Sequence, residues 1–160
     1  MVKKDQTPAI PVAVALGSNL GDRREHLAHG VRALSLHLSN LETSDFIETV
    51  AADVAPDHPR YLNAAVVGTT MLSPRELLDR LMAIEKERGR QRPFPMAPRT
   101  LDLDLILYGS RIIDEPGLTV PHPRFRARRF VLAPLAEIAP EWRDPVSGLT
   151  VAELLRRLKT

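Results

Sequence analysis

Two aspartates, Asp102 and Asp104, alternate with leucines in the segment 101–107. Residues two apart in a strand point to the same face, so the two carboxylates are expected to project together, opposite the leucines. Two like charges at this spacing repel each other, and a bound cation relieves the repulsion. Carboxylate oxygens suit Mg²⁺, which takes one or two protein carboxylates and fills its shell with phosphate oxygens and water. The pair therefore predicts a magnesium site, although the same alternation also fits the polar face of an edge strand.

Arginine is concentrated on both sides of this pair. Nine arginines and four acidic residues lie between positions 88 and 129, an excess of five positive charges. Arginine suits paired hydrogen bonds to phosphate oxygens. Arg90 and Arg92 fall in the stretch 90–98, where three prolines exclude a regular element, and Arg99 follows directly. We interpret this stretch as a lid over a polyphosphate. A solvated basic surface or a nucleic-acid-binding patch would explain the charge alone.

Three other segments contain residues that could bind a ligand. Tyr61 and Asn63 share one face at the start of a strand, and a ring beside an amide suits a flat heteroaromatic ligand. His122 lies between two prolines, which hold its backbone stiffly; it could hydrogen-bond a phosphate or be a turn residue without a role. The segment 17–21, Gly-Ser-Asn-Leu-Gly, lacks the lysine and spacing of a phosphate-binding loop, so we interpret it as a tight turn before a helix.

The elements that must position these residues follow a regular order. Hydrophobic periodicity, capping residues and prolines predict strand 11–16, helix 23–38 capped by Asp22, strand 41–49, strand 61–71, a helix from Ser73–Pro74 down to Gly89, strand 101–107, a proline-rich connection 116–123, a partly helical stretch 130–138 and helix 151–158. Strand–helix–strand–strand–helix–strand is the split βαβ pattern. The predicted class is α+β: a ferredoxin-like βαββαβ core with a mostly antiparallel sheet and a C-terminal α/β extension.

Length and composition limit the remaining possibilities. The chain has 160 residues, which suits one domain; we expect a flexible segment 1–10 followed by a single domain over 11–160. Without cysteine it has neither disulfides nor thiolate metal sites. No apolar run reaches the roughly 20 residues of a membrane span, and the first eight residues lack the apolar region of a signal peptide. We therefore expect a cytoplasmic protein without a membrane partner.

Five segments, in order and with matching spacing, resemble the 6-hydroxymethyl-7,8-dihydropterin pyrophosphokinase family. They are 17–21 (GSNLG), 61–65 (YLNAA), 98–104 (PRTLDLD), 120–123 (VPHP) and 128–135 (RRFVLAPL). The resemblance runs from about Val12 to the closing helix. It implies a ferredoxin-like core and an ATP-dependent diphosphokinase, a pyrophosphoryl transferase of folate biosynthesis. Such an enzyme passes the β,γ-pyrophosphoryl group of ATP to the pterin hydroxymethyl oxygen and releases AMP.

The same resemblance implies a role for each matching residue. Asp102 and Asp104 would hold two Mg²⁺ ions, and with Arg90 and Arg92 of the lid they would form the catalytic set. The ATP side would be lined by Glu85, Arg99, His122 and Arg128. The pterin side would be formed by Thr49, Tyr61, Asn63 and Phe130, with the two aromatic rings on either side of the pterin. The expected partners are ATP and hydroxymethyldihydropterin, without nucleic acid, and the expected state is a monomer.

The chain departs from the family pattern on the pterin side. Residues 50–53 are Val-Ala-Ala-Asp, where the family commonly has Pro and Gly, and Met96 replaces a lid Trp of some members. These changes leave two alternatives open: a paralogue acting on another heterocyclic alcohol, and a non-catalytic ATP-binding sensor. An RNA-binding module is disfavoured, because the paired aromatic residues that stack bases on the sheet of RNA-recognition domains are absent.

Overall fold

The computed structural model describes residues 9–49, 60–89 and 100–158. In chain order the strands and helices are β1 (Ile10–Ser18), α1 (Arg23–Leu34), β2 (Ser39–Thr43), β3 (Ile47–Thr49), β4 (Tyr61–Thr70), α2 (Pro74–Glu87), β5 (Asp102–Tyr108), β6 (Ile113–Glu115), β7 (Leu118–Val120), α3 (Arg129–Ile138) and α4 (Val151–Arg157). A 3₁₀ turn, Phe125–Ala127, precedes α3. Of the predicted flexible segment 1–10, residues 1–8 lie outside the described residues and Ile10 begins β1.

Side-chain caps fix the start of both core helices, as predicted. The Asp22 carboxylate accepts a hydrogen bond from the Glu25 N–H at 3.1 Å. At α2, the Ser73 hydroxyl and Glu76 form a reciprocal capping box ahead of Pro74. Helix α1 ends at Leu34, four residues before the predicted end at Leu38. Leu38 follows a turn after the helix and still packs into the core.

The central sheet is antiparallel and has the strand order β2–β4–β1–β5, with β3 also pairing with β4. This arrangement confirms the ferredoxin-like core. The predicted single strand 41–49 is wrong in one respect, because it is interrupted between β2 and β3. There the Ser44 hydroxyl accepts a hydrogen bond from the Ala65 N–H at 2.9 Å, replacing a regular strand contact.

The sheet separates two apolar cores. One contains Leu103 and Leu105 of β5 and Leu101 just before it, together with buried residues of α1 and α2. The other lies between the sheet and helices α3 and α4. A bulge in β5 breaks the predicted alternation: Leu105 pairs with Val14 and Leu107 with Ala13, which leaves one extra residue between them. Leu107 therefore joins the second core rather than the first.

The proline-rich connection 116–123 contains a strand that the sequence reasoning did not predict. Residues of β6 and β7 form a two-stranded hairpin. Gly117 lies in its turn with φ of +76°, a conformation that favours glycine. Leu118 and Val120 are buried while Thr119 is exposed, so this short alternation carried a strand signal that the prolines obscured. None of the described helices is both long and apolar enough to cross a membrane.

Candidate active site

The predicted pterin and metal residues meet at one end of one sheet face. In the strand register, Asn63 of β4 pairs with Gly17 of β1, and Gly17 pairs with Asp102 of β5. The next row has Ala15 between Ala65 and Asp104. Neighbouring strands lie about 4.8 Å apart, so Asn63 and Asp102 are separated by roughly 10 Å. The β1 residues of these two rows, Gly17 and Ala15, are small, and they lie between a polar amide and a pair of carboxylates.

Gly17 leaves room for the side chains of Asn63 and Tyr61. A Cβ at this position would lie 3.1 Å from Asn63 Nδ2 and 3.7 Å from Tyr61 Cδ1, which is tight packing against both side chains. The prediction of a turn over 17–21 is wrong for Gly17 and Ser18, which belong to β1. The turn proper ends at Gly21, where φ is +71°. Sequence reasoning missed the role of Gly17, and its position at the end of a strand was the available signal.

The polar groups of the pterin side are held in a fixed orientation. The Thr49 hydroxyl donates a hydrogen bond to Asn63 Oδ1 at 2.5 Å, across the β3–β4 pair. Asn63 is only 5% exposed, and Thr49 pairs directly with Tyr61. Since Thr49 occupies Oδ1, the Asn63 amide presents Nδ2 on the side of Gly17. The structure thus brings together Thr49, Tyr61 and Asn63, three of the four residues predicted to bind the pterin.

The two aspartates flank a backbone group that is bound by a buried carboxylate. Asp102 and Asp104 are both half-buried, and between them the Leu103 N–H donates to Glu85 Oε2 at 2.7 Å. Glu85 extends from α2 and is 5% exposed. Its contact with the β5 backbone was not foreseen from the sequence. Its predicted part in ATP binding stays a prediction.

His122 is attached to β5 by a backbone hydrogen bond and lies close enough to Asp104 for that charge to act on its ring. Its N–H donates to the Ile106 carbonyl at 3.0 Å, and its ring Nδ1 accepts from the Arg124 N–H at 3.1 Å. Burial lowers the pKa of His122; Asp104 opposes this effect, while the charges of Arg128 and Arg124 add to it. The ring is therefore neutral near pH 7 and, because Nδ1 accepts, it carries its proton on Nε2. Nε2–H is a hydrogen-bond donor suited to a phosphate oxygen.

Arg128 links the predicted ATP and pterin groups. Its guanidinium carbon lies 5.5 Å from the centre of the Phe130 ring, and its charge also acts on His122. Phe130 is 39% exposed at the start of α3, so one side of its ring is accessible. Arg124, which faces His122 from the same connection, was not among the predicted site residues. Arg90, Arg92 and Arg99 lie outside the described residues.

The aspartate pair fits a Mg²⁺ ion that is shared with a phosphate ligand. Over residues 9–49, 60–89 and 100–158, no three His, Cys, Asp or Glu side chains form a cluster that could hold a metal ion by themselves. Two carboxylates on one strand face are a partial ligand set of the kind Mg²⁺ completes with substrate oxygens and water.

A separate pocket of about 300 Å³ lies at the other end of the sheet. Its lining comes from the turns after α1 and β4, from Ala9 and from Arg80 of α2. It contains none of the residues predicted from the sequence to bind ATP or pterin.

Comparison with known proteins identifies a family for the chain. Residues 13–140 match the family described as 7,8-dihydro-6-hydroxymethylpterin-pyrophosphokinase (HPPK). The 2-amino-4-hydroxy-6-hydroxymethyldihydropteridine pyrophosphokinase of Pseudomonas aeruginosa is 42% identical over 151 residues, which cover 90% of this chain and 89% of that protein. The Synechocystis protein of the same name is 43% identical over 148 residues, covering 91% of this chain and 74% of its own length.

Longer proteins contain the same unit. The folic acid synthesis protein fol1 of Pneumocystis carinii is 37% identical to this chain. The match covers 92% of this chain and 20% of the fol1 protein. The crystal structure of wild-type Plasmodium falciparum HPPK-DHPS superposes on this chain with a TM-score of 0.74. The superposition covers 96% of this chain and 45% of the Plasmodium chain. At 14% identity, that match shows a shared fold.

Proposed function

The chain belongs to the 7,8-dihydro-6-hydroxymethylpterin-pyrophosphokinase family, and from this premise we propose that it pyrophosphorylates 6-hydroxymethyl-7,8-dihydropterin with ATP, a step of folate biosynthesis. The observation that carries the proposal is the row Asn63–Gly17–Asp102. It places an amide suited to a pterin edge and a carboxylate suited to a metal–phosphate group about 10 Å apart on one surface. That separation accommodates a pterin ring and the hydroxymethyl arm that reaches the phosphates.

The reaction needs placement and charge neutralisation more than covalent chemistry. The hydroxymethyl oxygen forms a bond to the β-phosphorus of ATP, and the bond from that phosphorus to the α,β-bridging oxygen breaks. AMP leaves with the bridging oxygen, and the hydroxyl proton passes to solvent. Holding the hydroxyl in line with the breaking bond turns an encounter of two molecules into a step within one complex.

On the pterin side, four residues hold the ring. Tyr61 and Phe130 stack on its faces, and Asn63 hydrogen-bonds its polar edge through the amide that Thr49 orients at 2.5 Å. Because Asn63 is buried, a ring that fails to pair with its amide would leave that group without a hydrogen bond, which favours pterin-like edges over unrelated rings.

On the phosphate side, Asp102 and Asp104 would hold two Mg²⁺ ions, which would neutralise charge on the polyphosphate. Neutral His122 donates its Nε2–H to a phosphate oxygen, and Arg128 supplies a positive charge next to it. Glu85 supports this side by fixing the backbone between the aspartates. Arg99 lines the ATP, and Arg90 and Arg92 contact the transferred group.

The test is AMP formation from ATP, Mg²⁺ and 6-hydroxymethyl-7,8-dihydropterin. We expect turnover by the unaltered chain, and a loss of about 100-fold or more in kcat for Asp102→Asn and Asp104→Asn, because charge neutralisation at a transferred group has effects of this size. Asp114→Asn, at an exposed carboxylate of β6, is the matched control and should keep full activity. Absence of AMP would refute the proposed substrate, and full activity of both site variants would refute the metal assignment.

We further propose that residues 11–160 act as one domain, as a monomer, in the cytoplasm where ATP is available. Light scattering coupled to size-exclusion chromatography at the working concentration of the assay tests the monomer, whose expected mass is 17.8 kDa.

A further inference from the structure

Arg23, the first residue of α1, contacts two strands at the pterin end of the sheet. Its Nη2 lies 2.8 Å from Glu48 Oε2 on β3, and its Nη1 donates to the Arg60 carbonyl at 2.6 Å, directly before β4. The Arg23 side chain is 29% exposed and that of Glu48 is 45% exposed, so the arginine is the better shielded of the two from water. Arg60 Nη1 approaches the other oxygen of Glu48 at 4.0 Å.

The contacts of Arg23 fall next to the predicted pterin residues. Glu48 precedes Thr49, and Arg60 precedes Tyr61, the register partner of Thr49. One guanidinium therefore bonds to β3 and to the residue directly before β4. The residues between these two points, 50–59, lie outside the described part of the chain.

Strand β3 needs such a contact. It has only three residues and pairs only with β4 in the described sheet. Its three register pairs give it few backbone hydrogen bonds to β4. A second contact also attaches β3 to α1. The Arg24 guanidinium lies 5.4 Å from the centre of the Phe46 ring, so the first turn of α1 packs against the residues just before β3.

We propose that Arg23 and Glu48 are positioning residues for the pterin: they hold β3 against β4, so that Thr49 keeps Asn63 oriented. The inference rests on the proposed function and deepens it. Neither residue is placed against the substrate; each acts through Thr49, Tyr61 and Asn63. The phosphate side lies on β5 and beyond β7, with β4 and β1 between it and β3, so ATP binding is independent of this pair.

The experiment compares Arg23→Ala and Glu48→Gln with Arg32→Ala. Arg32 is on the same helix and pairs with Glu25 at 2.7 Å within that helix, so its loss removes an arginine ion pair without touching β3. For the first two variants we expect the KM for 6-hydroxymethyl-7,8-dihydropterin and its directly measured Kd to rise about tenfold, the size expected from losing a charged hydrogen bond. The KM for ATP and kcat should stay within about twofold, and Arg32→Ala should match the unaltered chain.

Arg23→Lys keeps the charge but cannot bond to two acceptors with the same planar geometry. Its pterin Kd should therefore lie between that of the unaltered chain and that of Arg23→Ala. A lowered Tm with unchanged pterin KM and Kd would show a purely structural role and overturn the inference. An equal rise in the KM for ATP would also overturn it. If the unaltered chain binds pterin without forming AMP, the proposed function fails while the Kd comparison still decides the inference; if it binds no pterin, both fail.

Discussion

At position 17 the site requires a residue without a side chain, because groups from the flanking strand converge above it. The amide of Asn63 and the ring of Tyr61 would both contact a Cβ there. The backbone at Gly17 is that of an ordinary strand, so the glycine is needed for space and not for an unusual φ. This position separates the amide of β4 from the carboxylates of β5.

Gly17→Ala should therefore weaken pterin binding while the fold is kept. The added methyl forces Asn63 to shift by a few tenths of an ångström, which disturbs its 2.5 Å hydrogen bond with Thr49. We expect a rise of about threefold to tenfold in the pterin KM, corresponding to the partial loss of one hydrogen bond.

Ser18→Ala is the control, since it changes the neighbouring residue on the opposite face of β1 without adding an atom near Asn63. The Ser18 hydroxyl is buried and has no hydrogen-bond partner in the described parts of the chain, so its removal should leave both KM values unchanged. Equal pterin KM values for the two variants would contradict the role given to Gly17.

Strand β5, which carries Asp102 and Asp104, lies at the edge of the sheet formed by the described residues. It pairs with β1 on one side. An edge strand has backbone groups without a strand partner, and these need other partners when they are buried. Glu85 of α2 provides one by accepting from the Leu103 N–H at 2.7 Å. A helix carboxylate thus fixes the strand segment from which both aspartates project.

Replacing Glu85 with alanine should lower the free energy of unfolding by about 1–3 kcal/mol, because a buried N–H loses its acceptor. We expect kcat to fall as well, since the aspartates lose their fixed backbone. Glu85→Gln keeps an acceptor oxygen and should be the milder change. Chemical denaturation and steady-state assays measure both effects.

Glu87→Ala provides the control on the same helix, since Glu87 is an exposed residue paired with His29 at 3.2 Å. Glu87→Ala should change neither the free energy of unfolding nor kcat appreciably. A Glu85→Gln variant with unchanged stability and a raised KM for ATP would show that Glu85 acts through ATP itself, and would contradict the backbone role.

Across the whole molecule, a buried ion pair joins the C-terminal extension to the site region. Asp144, whose side chain is fully buried, accepts from Arg126 Nη2 at 2.8 Å and from the Ser147 hydroxyl at 2.7 Å. Burial alone would raise the pKa of Asp144, but the hydrogen bonds from Arg126, Ser147 and Val146 outweigh it and lower the pKa to about 2. Arg126 is in the 3₁₀ turn between His122 and Arg128, so this pair anchors the connection that carries both residues.

This pair should make stability depend on pH in the acid range. The pKa of Asp144 is lower in the folded state than its ordinary value of 3.8, so its contribution is fully present above that value and is lost as the pH falls towards about 2. The shift corresponds to about 2 kcal/mol. Denaturation at a series of pH values should show this loss.

In Asp144→Asn the pH-dependent loss should largely disappear, and stability at pH 7 should be lower by about 2 kcal/mol or more, because Arg126 keeps a charge without its carboxylate. Asp79→Asn, at an exposed position of α2, should retain the pH dependence of the unaltered chain. If the pH dependence of stability were lost in Asp79→Asn and kept in Asp144→Asn, its assignment to Asp144 would be contradicted.

The features that the sequence predicted are those set by neighbouring residues. The caps at Asp22 and Ser73 each bond to a group three positions ahead, so a short segment contains the whole interaction. The βαββαβ order followed from periodicity within each element, and the family followed from five short segments in order. The side-by-side placement of Asp102 and Asp104 needed only the two-residue repeat of a strand.

Tertiary structure decided how those elements meet. The split between β2 and β3 depends on Ser44 bonding to Ala65, and the bulge in β5 depends on its register with β1. The packing of Asn63 and Tyr61 over Gly17 and the bond from Glu85 to Leu103 join residues far apart in sequence. Such contacts depend on the pairing of distant segments, whose geometry no local pattern encodes. The sequence alone determined which residues could do the chemistry and in which fold; the register of the sheet decided which of them face each other across the site.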